Sequence, residues 1–225
     1  MRLENTILQI PVRSPLIPRY RQGFSLLELL AVMAIIAIVV GFVVPSIGSI
    51  MRGNDMTRGE QMLQEQLALA RQTAIAKNRR VEVRFYNFDD PEVVGTDSLY
   101  RAFQTFVFDE KNTATPLGKI LKLPGLLTIN TNTTASTLMT LLDKAFDPAK
   151  DPKINIRGVG TAYTAKAFQF RPDGSTNLPS AAGPNWFLTL VSSSVIAQVS
   201  SATLPLNFAT VQIDPIGGTV RTYRP

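Results

Sequence analysis

The chain has 225 residues, of which 45% are hydrophobic, and its formal net charge is +6. It contains no cysteine, which excludes disulfide bonds, thiolate metal sites and cysteine nucleophiles. It also contains no histidine, so the commonest general base and metal ligand is missing.

Residues 1–23 predict a basic leader. Prolines at positions 11, 15 and 18 interrupt regular structure. Four arginines, at positions 2, 13, 19 and 21, stand against Glu4, so this segment carries +3 of the net charge of +6. Basic residues next to an apolar segment favour the cytoplasmic side of a membrane, which places the leader in the cytoplasm.

An apolar segment follows from Phe24 to Val44, and Glu28 is its one charged residue. As a helix, these 21 residues would extend roughly 32 Å, close to the thickness of the hydrocarbon core of a bilayer. Because a helix satisfies its own backbone in lipid, residues 24–45 predict a transmembrane helix.

Glu28 is unusual in such a helix, because a carboxylate in hydrocarbon costs about 2.5 kcal/mol or more. The residues alone leave two alternatives open. Glu28 lies near the helix start and extends its carboxylate to the interface, or it pairs with a cation of a neighbouring subunit. A free α-amino group would be the best such cation.

The segment Gly23–Glu28, Gly-Phe-Ser-Leu-Leu-Glu, resembles the cleavage and methylation motif of type IV prepilins and type II secretion pseudopilins. In that family a membrane peptidase cuts after the glycine and methylates the new amino terminus. The resemblance implies cleavage after Gly23 and methylation of Phe24. It also implies that Glu28 pairs with the Phe24 amino group of the preceding subunit, and that Pro45 loosens the helix.

The same resemblance implies three kinds of partner. They are the prepilin peptidase and methyltransferase, other pilin or pseudopilin subunits, and the lipid of the inner membrane.

A glycine before the scissile bond fits this processing, since no side chain crowds the backbone. Opposite charges attract strongly in hydrocarbon, so pairing of Phe24 with Glu28 would fix the axial register of the subunits.

An ordinary secretory signal peptide is the main competing interpretation. The small residues Ser46 and Gly48 allow cleavage that leaves a chain starting at Ser49. The apolar segment is, however, longer than the usual run of about 7–15 residues, and signal peptides rarely contain an acid there. A plain signal anchor is the other alternative.

Residues 46–80 predict a continuation of the N-terminal helix. Leu63, Leu67, Ala70 and Ala74 recur every three or four residues, so this stripe is expected to pack on a sheet. The sequence Gly-Asn-Asp at residues 53–55 predicts a local break or a capped restart of the helix.

Residues 81–225 predict a β-rich domain, because the hydrophobic period changes to two beyond Arg80. A helix followed by many strands indicates an α+β fold with an antiparallel sheet, which is also the pilin-like fold that the resemblance implies. A short helix is expected at Thr137–Phe146. The predicted strands are Val81–Tyr86, Tyr100–Phe108, Lys119–Leu123, Leu126–Asn130, Ala165–Arg171, Asn185–Ser192, Asn207–Asp214 and Thr219–Tyr223, the first two forming a hairpin across Asp89–Ser98.

Two further segments strengthen the resemblance. Phe168–Ser175 and Val211–Arg221 are similar to a strand-and-turn segment and to the closing hairpin of H-type minor pseudopilins and T-type fimbrial proteins. Read alone, their Pro-Asp-Gly and Gly-Gly sequences predict turns and nothing more. The long leader and the Pro-Asp-Gly-Ser sequence also resemble the pilin-like D protein of the four-gene Verru_Chthon cassettes.

The C-terminal tail predicts a weaker, alternative function. Arg221, Tyr223 and Arg224 could contact DNA phosphates and stack on bases. Some T-type fimbrial proteins bind DNA through a C-terminal Gly-Arg-x-Arg sequence, but the segment 218–221, Gly-Thr-Val-Arg, departs from it. This departure favours a solvated strand end.

The sequence therefore predicts a structural subunit, a minor pilin or pseudopilin, with no catalytic residue, metal or cofactor. It would be a single-pass protein of the inner membrane, with a cytoplasmic N-terminus and a periplasmic or otherwise extracytoplasmic domain, assembled into a pilus or pseudopilus. The alternatives are a DNA-binding minor pilin for DNA uptake and a monomeric membrane-anchored protein. The particular assembly, its cargo and the neighbouring subunits are not determined by the sequence.

Overall fold

A computed structural model describes residues 23–91, 98–141, 143–180, 185–194 and 204–225, without the side chains of residues 42–52. The chain divides into two compact units, Met1–Ser46 and Ile47–Pro225. One helix, α1, spans Leu26–Lys77 and contributes to both units. Within the described residues, the structured elements of the second unit are the rest of α1, nine strands and a short 3-10 turn at Thr137–Thr140.

The first unit consists, in its described part, of the apolar beginning of α1. The described side chains from Phe24 to Val40 are exposed, including those of all the large hydrophobic residues. No helix that the structure describes is both long enough and apolar enough to cross a membrane. The predicted transmembrane segment 24–45 extends into residues 42–52, whose side chains lie outside the described part.

In the second unit, α1 presents the predicted apolar stripe to the sheet. Leu63, Leu67, Ala70 and Ala74 are all buried, which confirms the prediction from their spacing. The predicted break at residues 53–55 is wrong, since α1 continues through this segment. Met56 is also buried, so packing against the sheet extends the stripe by two turns and favours the helical conformation despite Gly53 and Asn54.

The end of α1 is set by Asn78, which has a positive φ of 50°. The N–H of Asn78 bonds to the carbonyl oxygen of Ile75, and that of Arg79 bonds to Ala74. This pair of hydrogen bonds is a Schellman motif, in which asparagine is one of the few residues that tolerate the left-handed conformation. The helix therefore ends three residues before the predicted boundary at residue 80.

The nine strands form one antiparallel sheet, which confirms the predicted α+β class. The order along the sheet is β6-β1-β2-β5-β7-β8-β9, and β3 and β4 also pair with β2. All eight predicted strands are present with shifted ends, whereas β3 was not predicted. Their bounds are β1 Val81–Phe88, β2 Leu99–Phe108, β3 Ala114–Pro116, β4 Leu121–Lys122, β5 Leu127–Ile129, β6 Thr164–Phe170, β7 Trp186–Ser192, β8 Ala209–Ile213 and β9 Val220–Tyr223.

The predicted hairpin of the first two strands is confirmed, with Val81 opposite Val107 in antiparallel register. Its connecting turn lies partly outside the described residues, because residues 92–97 are not described. Alternate side chains of β1 point to the two faces of the sheet. Val83 and Phe85 join the core under α1, while Tyr86 and Phe88 join a second apolar cluster on the opposite face.

A close contact between α1 and the sheet occurs at Gly59. A Cβ placed there would lie 2.6 Å from Cδ1 of Leu127 in β5 and 3.5 Å from Cδ of Pro124. Glycine normally weakens a helix interior by about 1 kcal/mol. Its presence here lets the helix backbone approach β5 without a side chain between them.

The face of the sheet opposite α1 is covered by residues 143–163, which we call the outer segment. Ile156 and Tyr163 of this segment pack with Tyr86 and Phe88. The helix predicted at Thr137–Phe146 is wrong beyond its first four residues. The Thr137 hydroxyl donates to the carbonyl oxygen of Asn185, next to β7, and the chain then extends along β6, where the Lys144 N–H bonds to Ala165.

Four charges, three buried and one partly buried, connect the outer segment to β1, and we call them the ionic cluster: Glu82, Arg84 and Asp151, with Lys144 as the partly buried one. The guanidinium of Arg84 lies 2.6 Å from Glu82 and 2.7 Å from Asp151. The Lys144 ammonium lies 2.9 Å from Glu82 and 2.8 Å from Asp151. The cluster contains two positive and two negative groups, so each buried charge has partners of the opposite sign.

Arg84 is completely buried and also stacks on an aromatic ring. Its Cζ lies 3.6 Å from the ring centroid of Phe106. The contact between its Nη2 and Asp151 is short but is not oriented as a hydrogen bond, so it acts mainly through charge. Aromatic stacking and ion pairing together offset the free energy that the guanidinium loses when it is removed from water.

Replacing Gly59 with leucine is expected to destabilise the protein, because the new side chain must displace Leu127 or push α1 off β5. Overpacking of this kind costs about 1–3 kcal/mol. Equilibrium unfolding of the full-length protein in detergent measures the change. Gln61→Leu, on the exposed side of the same helix, is the control and should alter stability by less than about 0.5 kcal/mol. Equal effects of the two changes would contradict the close packing.

Replacing Lys144 with methionine leaves Glu82 and Asp151 with one cation fewer in a buried site. Loss of one partner from a buried ion pair costs about 3–5 kcal/mol, so we expect a large fall in unfolding free energy and faster amide exchange in the outer segment. Lys150→Met makes the same chemical change at an exposed position of that segment. Similar stability of the two variants would show that the ionic cluster contributes little.

Candidate functional site

The predicted processing site lies at the exposed start of α1. Among the described residues beyond its chain neighbours, none has an atom within 4 Å of the position that a Cβ on Gly23 would occupy, and Phe24 is 81% exposed. The helix begins two residues later, at Leu26. The bond between Gly23 and Phe24 therefore lies outside the helix, where its backbone is accessible.

Ser25 caps the helix immediately after this bond. Its hydroxyl oxygen accepts a hydrogen bond of 3.1 Å from the backbone N–H of Glu28. A serine at the cap followed three residues later by a glutamate is the sequence pattern of a capping box. The prediction of the processing site from Gly23–Glu28 did not use this pattern. Glu28 therefore lies in the first turn, where the helix dipole stabilises a negative charge.

The carboxylate of Glu28 remains available for an intermolecular contact. The side chain is exposed, and it makes no ion pair with any residue that the structure describes. Its predicted pairing with the Phe24 amino group of another subunit is not tested by a single chain and stays a prediction. Pro45 lies within the bounds of α1, but its side chain is outside the described part, so the loosening of the helix also stays a prediction.

In the second unit, Arg71 joins the two turns that carried the sequence resemblance. Its Nε donates to the carbonyl oxygens of Gly174, at 3.2 Å, and Gly217, at 2.9 Å. These acceptors are 103 and 146 residues away along the chain. Sequence reasoning missed this role, because Arg71 lies off the apolar stripe and has no acceptor nearby in sequence.

The two turns touch each other at glycines. Gly174 and Gly218 have positive φ values of 83° and 61°, and a Cβ on Gly218 would lie 2.1 Å from the carbonyl oxygen of Gly174. Both positions therefore require glycine, for backbone conformation and for close approach. The turns predicted from Pro-Asp-Gly and Gly-Gly are confirmed. Their contact with Arg71 was not predicted from the sequence and follows from the tertiary structure.

Aspartates stabilise both turns locally. Asp173 accepts hydrogen bonds from the hydroxyl and the N–H of Ser175, at 2.7 and 2.9 Å, and these bonds lower its pKa. Asp214 accepts from the N–H groups of Ile216 and Gly217, both at 3.1 Å. These Asx turns depend only on residues that are close together in the sequence, and the sequence alone therefore predicts both turns.

The three residues of the predicted nucleic-acid contact do not form one patch. Arg221 and Tyr223 belong to β9, are exposed and share one side of the strand. Arg224 instead pairs with Glu60 of α1 and donates to the Thr57 hydroxyl at 3.2 Å. Its charge is offset within the protein, which disfavours binding of a phosphate there.

The outer segment contains three aspartates, at positions 143, 147 and 151, and their contacts differ. Asp143 pairs with Lys166 at 3.1 Å, and Asp151 belongs to the ionic cluster. Within the described part of the chain, no group of three or more acidic or other metal-ligating residues is placed to hold a metal ion. Asp143 and Asp151 thus bind protein cations, whereas Asp147 accepts a hydrogen bond of 2.9 Å from the N–H of Ala149.

Comparisons with known proteins agree with the N-terminal prediction. Residues 18–44 match the family described as the prokaryotic N-terminal methylation motif, which confirms that the chain carries the motif recognised at Gly23–Glu28. None of the curated proteins matches the sequence.

Two solved structures are distantly similar. One is the minor pseudopilin EpsH from the type 2 secretion system of Vibrio cholerae, with 11% identity, a TM-score of 0.41, and coverage of 76% of this chain and 98% of that chain. The other is the type IV minor pilin FimU of Pseudomonas aeruginosa, with 11% identity, a TM-score of 0.39, and coverage of 76% and 89%.

Replacing Arg71 with lysine keeps the positive charge but removes the Nε–H that both turns share. Hydrogen bonds from charged donors contribute about 1.5–3 kcal/mol each, so we expect a measurable loss of unfolding free energy. Amide exchange should accelerate selectively in residues 171–176 and 214–219. Arg58→Lys, at an exposed position of the same helix, is the control. Unchanged exchange in both turns would contradict the role assigned to Arg71.

Proposed function

We propose that this chain is a structural subunit, a minor pilin or pseudopilin, of a type IV pilus-like or type II secretion pseudopilus assembly. The observation that carries the proposal is the N-terminal methylation motif in residues 18–44. Gly23, Phe24 and Glu28 lie within this range, and the proposal gives them the roles in processing and assembly that the sequence resemblance implies.

Processing begins at the bond between Gly23 and Phe24. A prepilin peptidase cuts after Gly23, where no side chain hinders its approach to the backbone. The released amino group of Phe24 is then methylated. Because Ser25 caps α1 from within the mature chain, the cut leaves the start of the helix unchanged.

The apolar start of α1 anchors the chain in the inner membrane. Eleven large hydrophobic side chains of residues 26–40 are exposed, which is unfavourable in water. Lipid covers them before assembly, and neighbouring subunits cover them afterwards. The basic leader places the N-terminus in the cytoplasm and residues 81–225 outside it.

Assembly uses the pairing of Glu28 with the amino group of Phe24 in the preceding subunit. Each of these charges is unfavourable alone in hydrocarbon, and together they attract strongly. The exposure of Phe24 and Glu28 and the absence of a partner for Glu28 among the described residues support such a contact. The pairing would fix the axial position of each subunit in the filament.

Intact-mass measurement with N-terminal fragmentation, on protein from its native membrane, tests the processing step. We expect a chain that begins at Phe24 and carries one additional methyl group on its amino terminus. A chain that begins at Ser49 would indicate ordinary secretion, and one that retains residues 1–23 would indicate a simple anchor. Either of these results would overturn the proposal.

Replacing Glu28 with glutamine tests the assembly step, because it removes the charge and keeps the size. We expect crosslinks between the N-terminal segments of neighbouring subunits to fall about tenfold, the factor that corresponds to roughly 1.4 kcal/mol. Processing at Phe24 should continue. Glu65→Gln, an exposed change on the same helix, should leave the crosslinks unchanged. Full crosslinking in Glu28→Gln would point to assembly without this ion pair. If neither the parental protein nor the variant formed crosslinks, the chain would be a monomeric anchor.

A further inference from the structure

The two edges of the sheet differ in how the chain covers them. The edge strand β6 is bridged by Asp143 at Lys166 and by Thr176 at Phe170. The N–H of Asn177 also bonds to the carbonyl oxygen of Gln169, which lies within β6. These contacts occupy hydrogen-bonding groups of β6 that a further strand would need.

The opposite edge strand, β9, has no such cover in the described part of the chain. It pairs with β8 from Val220 to Tyr223, and no described residue bridges its outer side. Its outward N–H and C=O groups are therefore available to another extended segment. An edge of this kind is the usual place where a partner adds a strand to a sheet.

A small polar pocket opens beside the first residue of β9, between α1 and the β8–β9 hairpin. Its volume is about 220 Å3. The residues that define it are Gln64, Ala68, Arg71 and Gln72 of α1, and Gly218, Thr219 and Val220 of the hairpin. The polar side chains are thus one guanidinium, two carboxamides and one hydroxyl, with no carboxylate among the lining residues.

Arg71 uses only part of its guanidinium within the protein. Its Nε–H is shared by Gly174 and Gly217, while its two Nη groups have no hydrogen-bond or ion-pair partner among the described residues. The bonds through Nε fix the orientation of the planar group. A guanidinium held in this way presents its Nη N–H groups at no further conformational cost to a carboxylate, the acceptor that it matches best.

We propose that this pocket and the β9 edge form an interface with a neighbouring subunit, which places an acidic side chain on the guanidinium of Arg71. The inference rests on the proposed function, since it requires an assembly of subunits. The partner's segment lies along β9, where backbone hydrogen bonds hold it, and its carboxylate sets the register by binding Arg71. The carboxamides of Gln64 and Gln72 are placed to donate further hydrogen bonds to the same group.

Photo-crosslinking from Thr219 in the full-length protein, in its native membrane, tests this interface. The crosslinked peptide should come from a second copy or from another subunit with an N-terminal methylation motif, and should contain Asp or Glu. Gln72→Glu adds a carboxylate beside Arg71 and leaves its Nε bonds intact. We expect it to reduce the crosslink about fivefold, because the new charge neutralises the guanidinium and repels the partner's acid.

Gln61→Glu is the matched control, since it makes the same change on the exposed side of α1 outside the pocket. It should leave the crosslink unchanged, and both variants should unfold at the parental temperature. Equal crosslinking in Gln72→Glu and Gln61→Glu, a partner peptide without an acidic residue, or crosslinks within one chain only would overturn the inference.

The start of the chain and the crosslinks near Glu28, measured on the same sample, separate the two proposals. A methylated Phe24 with Glu28-dependent contacts, but without the Thr219 crosslink, would overturn this interface and leave the proposed function in place. A chain that retains residues 1–23 would overturn the proposed function itself.

Discussion

The packing of α1 against the inner face of the sheet is the constraint on which the second unit depends. The stripe of Leu63, Leu67, Ala70 and Ala74 supplies the apolar area, and Gly59 allows the helix backbone to approach β5. Polar residues of the same helix then hold the far end of the chain. Glu60 binds Arg224, and Arg71 binds both turns that flank the last strands. One helix thereby fixes the positions of elements that are more than 100 residues away from it.

The opposite face of the sheet is stabilised in a different way. The ionic cluster joins β1 to the outer segment, which also packs its apolar residues on this face. A buried ion pair contributes little net stability when compared with a well-packed apolar pair, but it strongly penalises any arrangement that leaves a charge alone. The cluster therefore specifies where the outer segment docks. This specificity explains why a segment with little regular structure still lies in a defined position.

The two units bury their apolar residues to different extents. The second unit covers its hydrophobic side chains within itself, whereas the described part of the first unit exposes nearly all of its own. A segment of the latter kind needs lipid or other subunits to cover it. The proposed function accounts for this difference, because a subunit that moves from a membrane into a filament exchanges one apolar environment for the other. The N-terminal methylation motif lies at the end of the chain for which the proposal requires this exchange.

The sequence by itself determined the features that depend on neighbouring residues. These are the methylation motif, the apolar stripe of α1, the alternation of β1 and β2, and the two glycine turns, because each follows from local periodicity or turn chemistry. The sequence did not reveal that the helix continues through Gly53 or that most of the helix expected at Thr137–Phe146 is absent. It also did not reveal the ionic cluster or the role of Arg71. Only the tertiary structure decided these, since their energies come from contacts between residues far apart in the chain, and no local pattern encodes which distant carbonyl or carboxylate a side chain will meet.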